Sequence, residues 1–222
     1  MTGALDTLRS RPTLSTHDRC LILLSGGVDS ATLAFWISKR GHITECLYLD
    51  YGQGQENRER ECARSVANRL GVNLTILEAP LPSDLLGCIP PIRANNGGLF
   101  GDVVNMCVMA TACALNSGAE SIAIGVNAYD VQLYPALQRS FFGAIERLSI
   151  LWIGKRIKIL TPFLRKDKSS IARIGARLGV PFEDTWSCSM NVHRHCGICP
   201  DCAARRDALS KAGLTDGTEY EH

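Results

Sequence analysis

Leu21-Ile22-Leu23-Leu24-Ser25-Gly26-Gly27-Val28-Asp29-Ser30, running into Ala31-Thr32-Leu33-Ala34-Phe35-Trp36-Ile37, decides the fold of this chain. The opening run is short, apolar and uninterrupted, the pattern of a strand buried on both faces. The second run has helical spacing and stops at Lys39-Arg40-Gly41, basic residues and then a glycine. The stretch reads strand, glycine turn, helix. Backbone amides at such a turn lack partners and the helix dipole adds positive potential, so the turn is an anion site whose natural occupant is phosphate. Gly26 and Gly27 are expected to let the backbone approach phosphates without a Cβ clash. Ser25 and Ser30 add hydroxyls, and Asp29 can hold Mg²⁺ against the phosphates. No Gly-Lys-Ser/Thr follows, so this is not a Walker loop. A plain strand-to-helix turn would need only the two glycines; the whole string Ser-Gly-Gly-Val-Asp-Ser is more specific.

The rest of the chain repeats the alternation. Ile43–Leu49 reads as a second strand ending in Asp50-Tyr51-Gly52-Gln53, Glu56–Leu70 as an amphipathic helix, and Val72–Leu77 as a third strand. A βαβαβ order implies a parallel sheet with right-handed crossovers. Residues 79–101 break the rhythm with Pro80, Pro82, Pro90-Pro91 and Asn95-Asn96-Gly97-Gly98; they read either as a surface loop or as a lid over the nucleotide. A helix over Val103–Asn116, a strand over Ser121–Val126, a helix over Phe141–Ile153, a strand over Ile157–Leu160 and a helix over Ser169–Leu178 follow. Gly125, Asn127, Asp130, Gln132 and Tyr134 fall at or just beyond a strand's carboxyl end, where parallel sheets bind ligands.

Of ten cysteines, Cys20, Cys46, Cys62, Cys88, Cys107 and Cys113 are scattered through apolar segments, as in a reduced cytoplasmic protein with buried thiols. The remaining four cluster. Cys196, Cys199 and Cys202 repeat at three-residue spacing, and Cys188 lies one loop upstream. Four thiolates suit a closed, structural Zn²⁺ site, because a catalytic zinc keeps an open position. Spacing alone leaves an iron–sulfur cluster open, and His193 and His195 stand as alternative ligands. The 222 residues suffice for one large domain and an appendage, with residues 1–19 a mobile tail, 20–180 an ATP-binding domain and 181–222 a metal-binding region. A formal net charge of +2 argues against electrostatic nucleic-acid binding, and no apolar run is long enough to span a membrane.

The Ser25–Ser30 string resembles the pyrophosphate loop of ATP pyrophosphatases. Over residues 21–202 the chain resembles the 7-cyano-7-deazaguanine synthase family. The matches are that string, Asp50-Tyr51-Gly52-Gln53, Gly125-Val126-Asn127-Ala128, Tyr134-Pro135, Thr161-Pro162-Phe163 with Lys168, and Thr185-Trp186-Ser187-Cys188 with the cysteine triplet. The resemblance implies a Rossmann-like domain with a small zinc region, often in a homodimer. It also implies a carboxylate that is adenylated by ATP, attacked by ammonia to give an amide, and dehydrated to a nitrile at the expense of a second ATP. Carried onto this sequence, the nucleotide contacts are Leu24, Ser25, Gly26, Gly27, Val28, Asp29, Ser30, Ala31, Thr32, Asp50 and Gly125. Asp29, Ser30 and Lys168 are the catalytic candidates, and Asn127, Asp130, Gln132 and Tyr134 the substrate side. Cys188, Cys196, Cys199 and Cys202 are the metal ligands.

The departures lie around the acid. The family's Tyr-Pro-Asp-Cys-Arg is here Tyr134-Pro135-Ala136-Leu137-Gln138, its Gly-Arg-Asn is Val103-Val104-Asn105, and its Tyr after the first cysteine is Ser189. A lost Arg removes a bidentate carboxylate partner. The resemblance therefore carries the reaction class further than the substrate. It leaves open a different carboxylate, an amide product, a tRNA-modifying relative or a nucleotide-binding module without turnover.

Overall fold

The computed structural model describes residues 18–52, 56–79, 99–190 and 192–222. Gln53, Cys88, residues 80–98 of the expected surface loop or lid, and residues 1–17 of the expected tail lie outside them. The chain runs β1 (Cys20–Leu23), α1 (Val28–Ser38), β2 (Ile43–Asp50), α2 (Glu56–Leu70), β3 (Leu74–Glu78), α3 (Leu99–Ser117) and β4 (Ser121–Ala123). It continues with α4 (Ala128–Leu133), α5 (Arg139–Ile153), β5 (Lys158–Leu160), α6 (Lys168–Leu178), a 3₁₀ turn (Phe182–Asp184) and α7 (Pro200–Lys211).

The five strands form one sheet in the order β3-β2-β1-β4-β5, every pairing parallel. This is the α/β, Rossmann-like class expected from the alternation. β1 is the central strand and is buried along its whole length. Its side chains alternate between two cores. Cys20 and Ile22, with Leu24 just beyond, face α1, α2 and α6, meeting Leu33, Ile37, Phe163 and Ile171. Leu21 and Leu23 face α3 and α5, meeting Val103, Cys107, Ile122 and Phe142. A strand apolar on both faces needs a helical layer on each side, and the crossovers supply them. The chain reverses direction of growth between β1, which hands on to β2, and β4, which hands on to β5. A crevice opens at that switch, at the carboxyl ends of the strands.

Several boundaries differ from expectation in ways that bear on the site. α1 starts at Val28, three residues before the expected apolar run, so Val28-Asp29-Ser30 is the first helical turn and not loop. β4 stops at Ala123, short of the expected Val126, and a short helix, α4, follows it. Its cap explains it: Asn127 accepts from the amides of Tyr129 and Asp130, while Asp130 accepts from the Asn127 amide. These are the reciprocal bonds of a capping box. At the amino end of the sheet the Arg19 carbonyl accepts from the amides of Glu120 and Ser121, continuing the pairing one residue outside β1.

Candidate active site and metal centre

The loop after β1 begins the site. Its two glycines do different work. Gly26 has a φ of +80°, and a Cβ there would stand 2.4 Å from the Glu59 carbonyl oxygen and 3.0 Å from the Ala63 amide nitrogen. Gly26 is therefore required by the close approach of α2. Gly27 has an ordinary φ of −76° and lines the cleft, so the expectation of a phosphate-facing glycine falls on Gly27 alone. Ser25 and Ser30 share a hydrogen bond of 3.0 Å, and the Ser30 hydroxyl donates to the Gly27 carbonyl at 3.1 Å. The first intrahelical bond runs from the Ala31 amide to the Gly27 carbonyl. The amides of Val28, Asp29 and Ser30 lie before it, where a helix offers unpaired donors to an anion.

The cleft at this point measures about 320 Å³. Leu24, Ser25, Gly27, Val28, Asp29 and Ser30 line it from one side, and Gly125, Asp130 and Lys168 from the other. Asp29 Oδ2 accepts from Asn127 Nδ2 at 2.8 Å and lies 4.0 Å from Lys168 Nζ. Asp29 Oδ1 is buried with no hydrogen-bond partner among the described residues. Burial raises the Asp29 carboxyl above its usual range, against the pull of Lys168 and Asn127. Asp130 is pushed up to about 6 by burial, against its backbone bond to Asn127 and with the charge of Asp29 adding to the rise. Burial lowers the Lys168 ammonium, yet Asp29, Asp130 and Asp201 outweigh it and hold the group charged. One cation thus stands among three carboxylates, and the orphaned Asp29 oxygen is where a divalent ion fits.

Other expected contacts fall elsewhere. Gly26 backs onto α2, as described. Thr32 is fully buried and points toward α6, its hydroxyl in the space a side chain on Gly175 would occupy. Ala31 packs in the core beside it. Asp50 lies at the end of β2 but is paired with Arg60, which also reaches Glu78 at 3.6 Å, and it does not line the cleft. Gln132 is exposed, and Tyr134 packs against the core on the α3 side; neither lines the cleft. Asn127 acts on the site through Asp29. Among the departures, Leu137 is a core residue, whereas Ala136 and Gln138 are exposed outside the cleft.

The four clustered cysteines meet. The Sγ atoms of Cys188, Cys196, Cys199 and Cys202 all lie within 4.8 Å of one another, and all four residues are buried. Sulfurs sit 4.0 Å apart for Cys196 and Cys202, and 3.9 Å apart for Cys188 and Cys199. Amides of Met190 and Cys196 donate to Cys188 Sγ, that of Cys199 to Cys196 Sγ, and that of Cys202 to Cys199 Sγ. The set can hold a metal. His195 is turned from it, since its Nε2 accepts from the Ser187 amide at 3.0 Å and its ring stacks on Trp186. Exposed His193 lies beside Arg58. The scattered thiols behave as expected of packing groups: burial pushes Cys20 to about 11, and Cys46 and Cys107 to about 12.

Sequence reasoning missed the join between these two places. Trp186, Ser187, Asp201 and Arg205 all line the same cleft as Ser25–Ser30, although they belong to the cysteine region. The Trp186 amide donates to the Gly26 carbonyl at 2.9 Å, and Trp186 Nε1 donates to the Cys188 carbonyl at 2.7 Å. α7 is capped by Cys199 with Pro200 at its start, a proline-first signal that the cysteine spacing obscured.

A family described as "Queuosine biosynthesis protein QueC" matches residues 19–88 and 102–213. A 7-cyano-7-deazaguanine synthase of Methanoculleus marisnigri is 38% identical over 220 residues, covering 91% of this chain and 99% of that protein. Among solved structures, a U34-tRNA thiolase from Methanococcus maripaludis with its [4Fe-4S] cluster superposes with a TM-score of 0.52 at 17% identity, over 87% of this chain and 63% of that one. An NMN synthetase from Francisella tularensis gives 0.52 at 17% identity, over 90% and 79%. These two likenesses speak to the fold.

Proposed function

Because the chain belongs to the QueC family of queuosine biosynthesis proteins, we propose that it is an ATP-dependent synthase that converts a carboxylate and ammonia to an amide and then a nitrile. The first candidate acid is 7-carboxy-7-deazaguanine, with 7-cyano-7-deazaguanine as product, the compound in the names of the curated relatives. The observation that carries this reading is Asp29: in the first turn of α1, one oxygen engaged by Asn127, the other without a partner, Lys168 4.0 Å away.

A carboxylate is a poor electrophile, so its oxygen must become a leaving group. A carboxylate oxygen attacks the α-phosphorus of ATP and the bond to pyrophosphate breaks. Ammonia adds to the acyl carbon, AMP departs with the C–O electron pair, and the nitrogen sheds a proton. A second ATP adenylates the amide oxygen; loss of AMP and of the two remaining N–H protons leaves the nitrile. Two anions meet in the first adenylation, and in the second a neutral amide meets the ATP phosphates; the free amides of α1 together with Lys168 offset the phosphate charge in both. Asp29 would hold Mg²⁺, which supplies further neutralisation at the phosphates. Ser25, Gly27 and Ser30 bind the phosphates, Gly125 gives the backbone room beside them, and Asp130 takes the substrate side.

Division into an ATP-binding body over 20–180 and a metal-bearing region over 181–222 belongs to this reading. So does zinc: a Zn–S bond of about 2.3 Å sets tetrahedral sulfurs about 3.8 Å apart, close to the separations here, whereas a cubane cluster seats each thiolate on a different iron and spreads them. α5 supports a homodimer, since Leu148, Leu151 and Trp152 share one face and Leu151 is 85% exposed. No helix of the described residues is long and apolar enough to cross a membrane.

The test incubates the protein with ATP, Mg²⁺, ammonia and 7-carboxy-7-deazaguanine, and follows AMP and product mass. Nitrile with AMP is expected. Amide alone would end the reaction one step early. AMP formed only with another acid would remove this substrate and keep the chemistry. No AMP with any carboxylate would overturn the synthase reading in favour of a nucleotide-binding module.

A further inference from the structure

Arg205 is a cation with 1% of its side chain exposed, one turn beyond Cys202 on α7. It lines the cleft wall, yet four of its five N–H donors are already committed. Nη1 donates to Thr185 Oγ1 at 2.8 Å and to Ser187 Oγ at 3.2 Å; Nη2 donates to the Phe182 carbonyl at 2.6 Å; Nε donates to Thr218 Oγ1 at 2.9 Å. Asp216, 3.7 Å away, balances its charge. One Nη2 N–H is left over, too little for the two-point grip by which a guanidinium clamps a carboxylate or phosphate. Its acceptors are informative. Thr185 and Ser187 flank Trp186, whose amide holds the Gly26 carbonyl of the nucleotide loop and whose carbonyl lies 3.5 Å from where a Cβ on Gly27 would be. The planar fork therefore fixes the short strap 185–187, and the strap fixes the loop.

We infer that Arg205 is a positioning residue for the nucleotide loop, acting through the strap Thr185-Trp186-Ser187 on Gly26 and Gly27. The inference rests on the reading of Ser25–Ser30 as the ATP loop. Arg205 touches no reacting atom. It sets where the loop amides stand, so its loss weakens ATP binding more than it slows a bound complex. Lysine does not replace it, because a point donor cannot span acceptors on both sides of Trp186.

The experiment uses the full chain with its metal. ATP affinity is measured by calorimetry in wild type, Arg205→Ala and Arg205→Lys, beside metal content, melting temperature and the split between KM for ATP and kcat. Affinity is expected to fall roughly tenfold to a hundredfold in both variants, KM to rise with kcat nearly held, and metal to stay bound. Free guanidinium at about 10 mM is expected to restore affinity to Arg205→Ala and not to Arg205→Lys, whose side chain fills the space. In a Trp36→Phe/Trp152→Phe background Trp186 is the remaining tryptophan of the three, and its fluorescence change on adding ATP is expected to disappear with Arg205→Ala. Wild-type affinity in either folded variant overturns the inference, as does an Arg205→Ala defect that guanidinium leaves untouched. If Arg205→Ala does not fold, Arg205→Lys decides alone. A wild-type protein that binds no ATP overturns the loop assignment, and is distinguished from failure of the Arg205 role by that control.

Discussion

Replacing Gly26 with alanine separates a glycine needed by the fold from one needed by the ligand. Gly26 has φ of +80°, and its missing Cβ would stand 2.4 Å from the Glu59 carbonyl oxygen, 3.0 Å from the Ala63 amide nitrogen and 3.0 Å from Cys62 Cβ. Left-handed backbone costs an alanine about 1–2 kcal/mol. The overlap is with helix backbone, which cannot rotate aside, and overpacking of this kind adds about 1–3 kcal/mol. The sum is about 2–5 kcal/mol of lost stability, and at about 2–4 °C per kcal/mol for a chain of this length the melting point falls by on the order of 10 °C. Gly27→Ala is the control. Its φ is already −76° and its nearest neighbour, the Trp186 carbonyl oxygen, is at 3.5 Å, an ordinary contact. Its stability is expected to stay within about 0.5 kcal/mol of wild type while ATP affinity drops. Chemical denaturation and ATP titration of the two variants decide the matter. Equal stability of Gly26→Ala and wild type would refute the claim that α2 dictates this glycine.

The orphaned Asp29 oxygen predicts that Asp29→Ala abolishes Mg²⁺-dependent ATP turnover while leaving the melting point nearly unchanged; retained AMP production would remove Asp29 from the site. For Asp130, the folded carboxyl sits near 6, above its unfolded value, so its contribution to stability is full below the unfolded value and is lost as pH rises through 6. Asp130→Asn, which keeps the capping acceptor, is therefore expected to gain about 1–2 kcal/mol at pH 7.5 and nothing at pH 4, read from denaturation at both pH values. Serine at Cys188, Cys196, Cys199 or Cys202 is expected to release metal and lower the melting point together; elemental analysis finding iron and no zinc would replace the zinc assignment. Leu151→Glu is expected to convert a dimer to monomers in sedimentation, and an unchanged mass would take the α5 face out of any self-association.

Much of the sheet was legible because its signals are local. β1 is apolar without a break since both its faces are covered, and α2 is amphipathic since one face is wet; the expected bounds of α2, Glu56–Leu70, are the observed ones. The cysteine set was legible from spacing. What could not be read was whatever depends on two distant segments meeting. Nothing near Gly26 announces that α2 will crowd it. Arg205, amid Ala203-Ala204 and Ala208-Leu209, looks like any charged residue of a solvated helix, and only the fold reveals four acceptors around it. Asn127 and Asp130 fall at a ligand edge by their position after a strand; the Asn-x-x-Asp spacing also marks a helix start, which is the signal for α4. Gln132 and Tyr134 lie close in sequence to a strand end, but the turn of α4 carries them away from the cleft.

The bond from the Trp186 amide to the Gly26 carbonyl joins residues 160 positions apart. On a ribosome adding about 5–20 residues per second, Gly26 exists for on the order of ten seconds before its partner is made. Through that interval the central strand can begin to pair and the flanking helices can form, while the loop lacks the tether that sets its shape. A nascent chain therefore acquires its sheet early and the final shape of its Ser25–Ser30 loop late, and a chain cut short before Trp186 has no means of completing it.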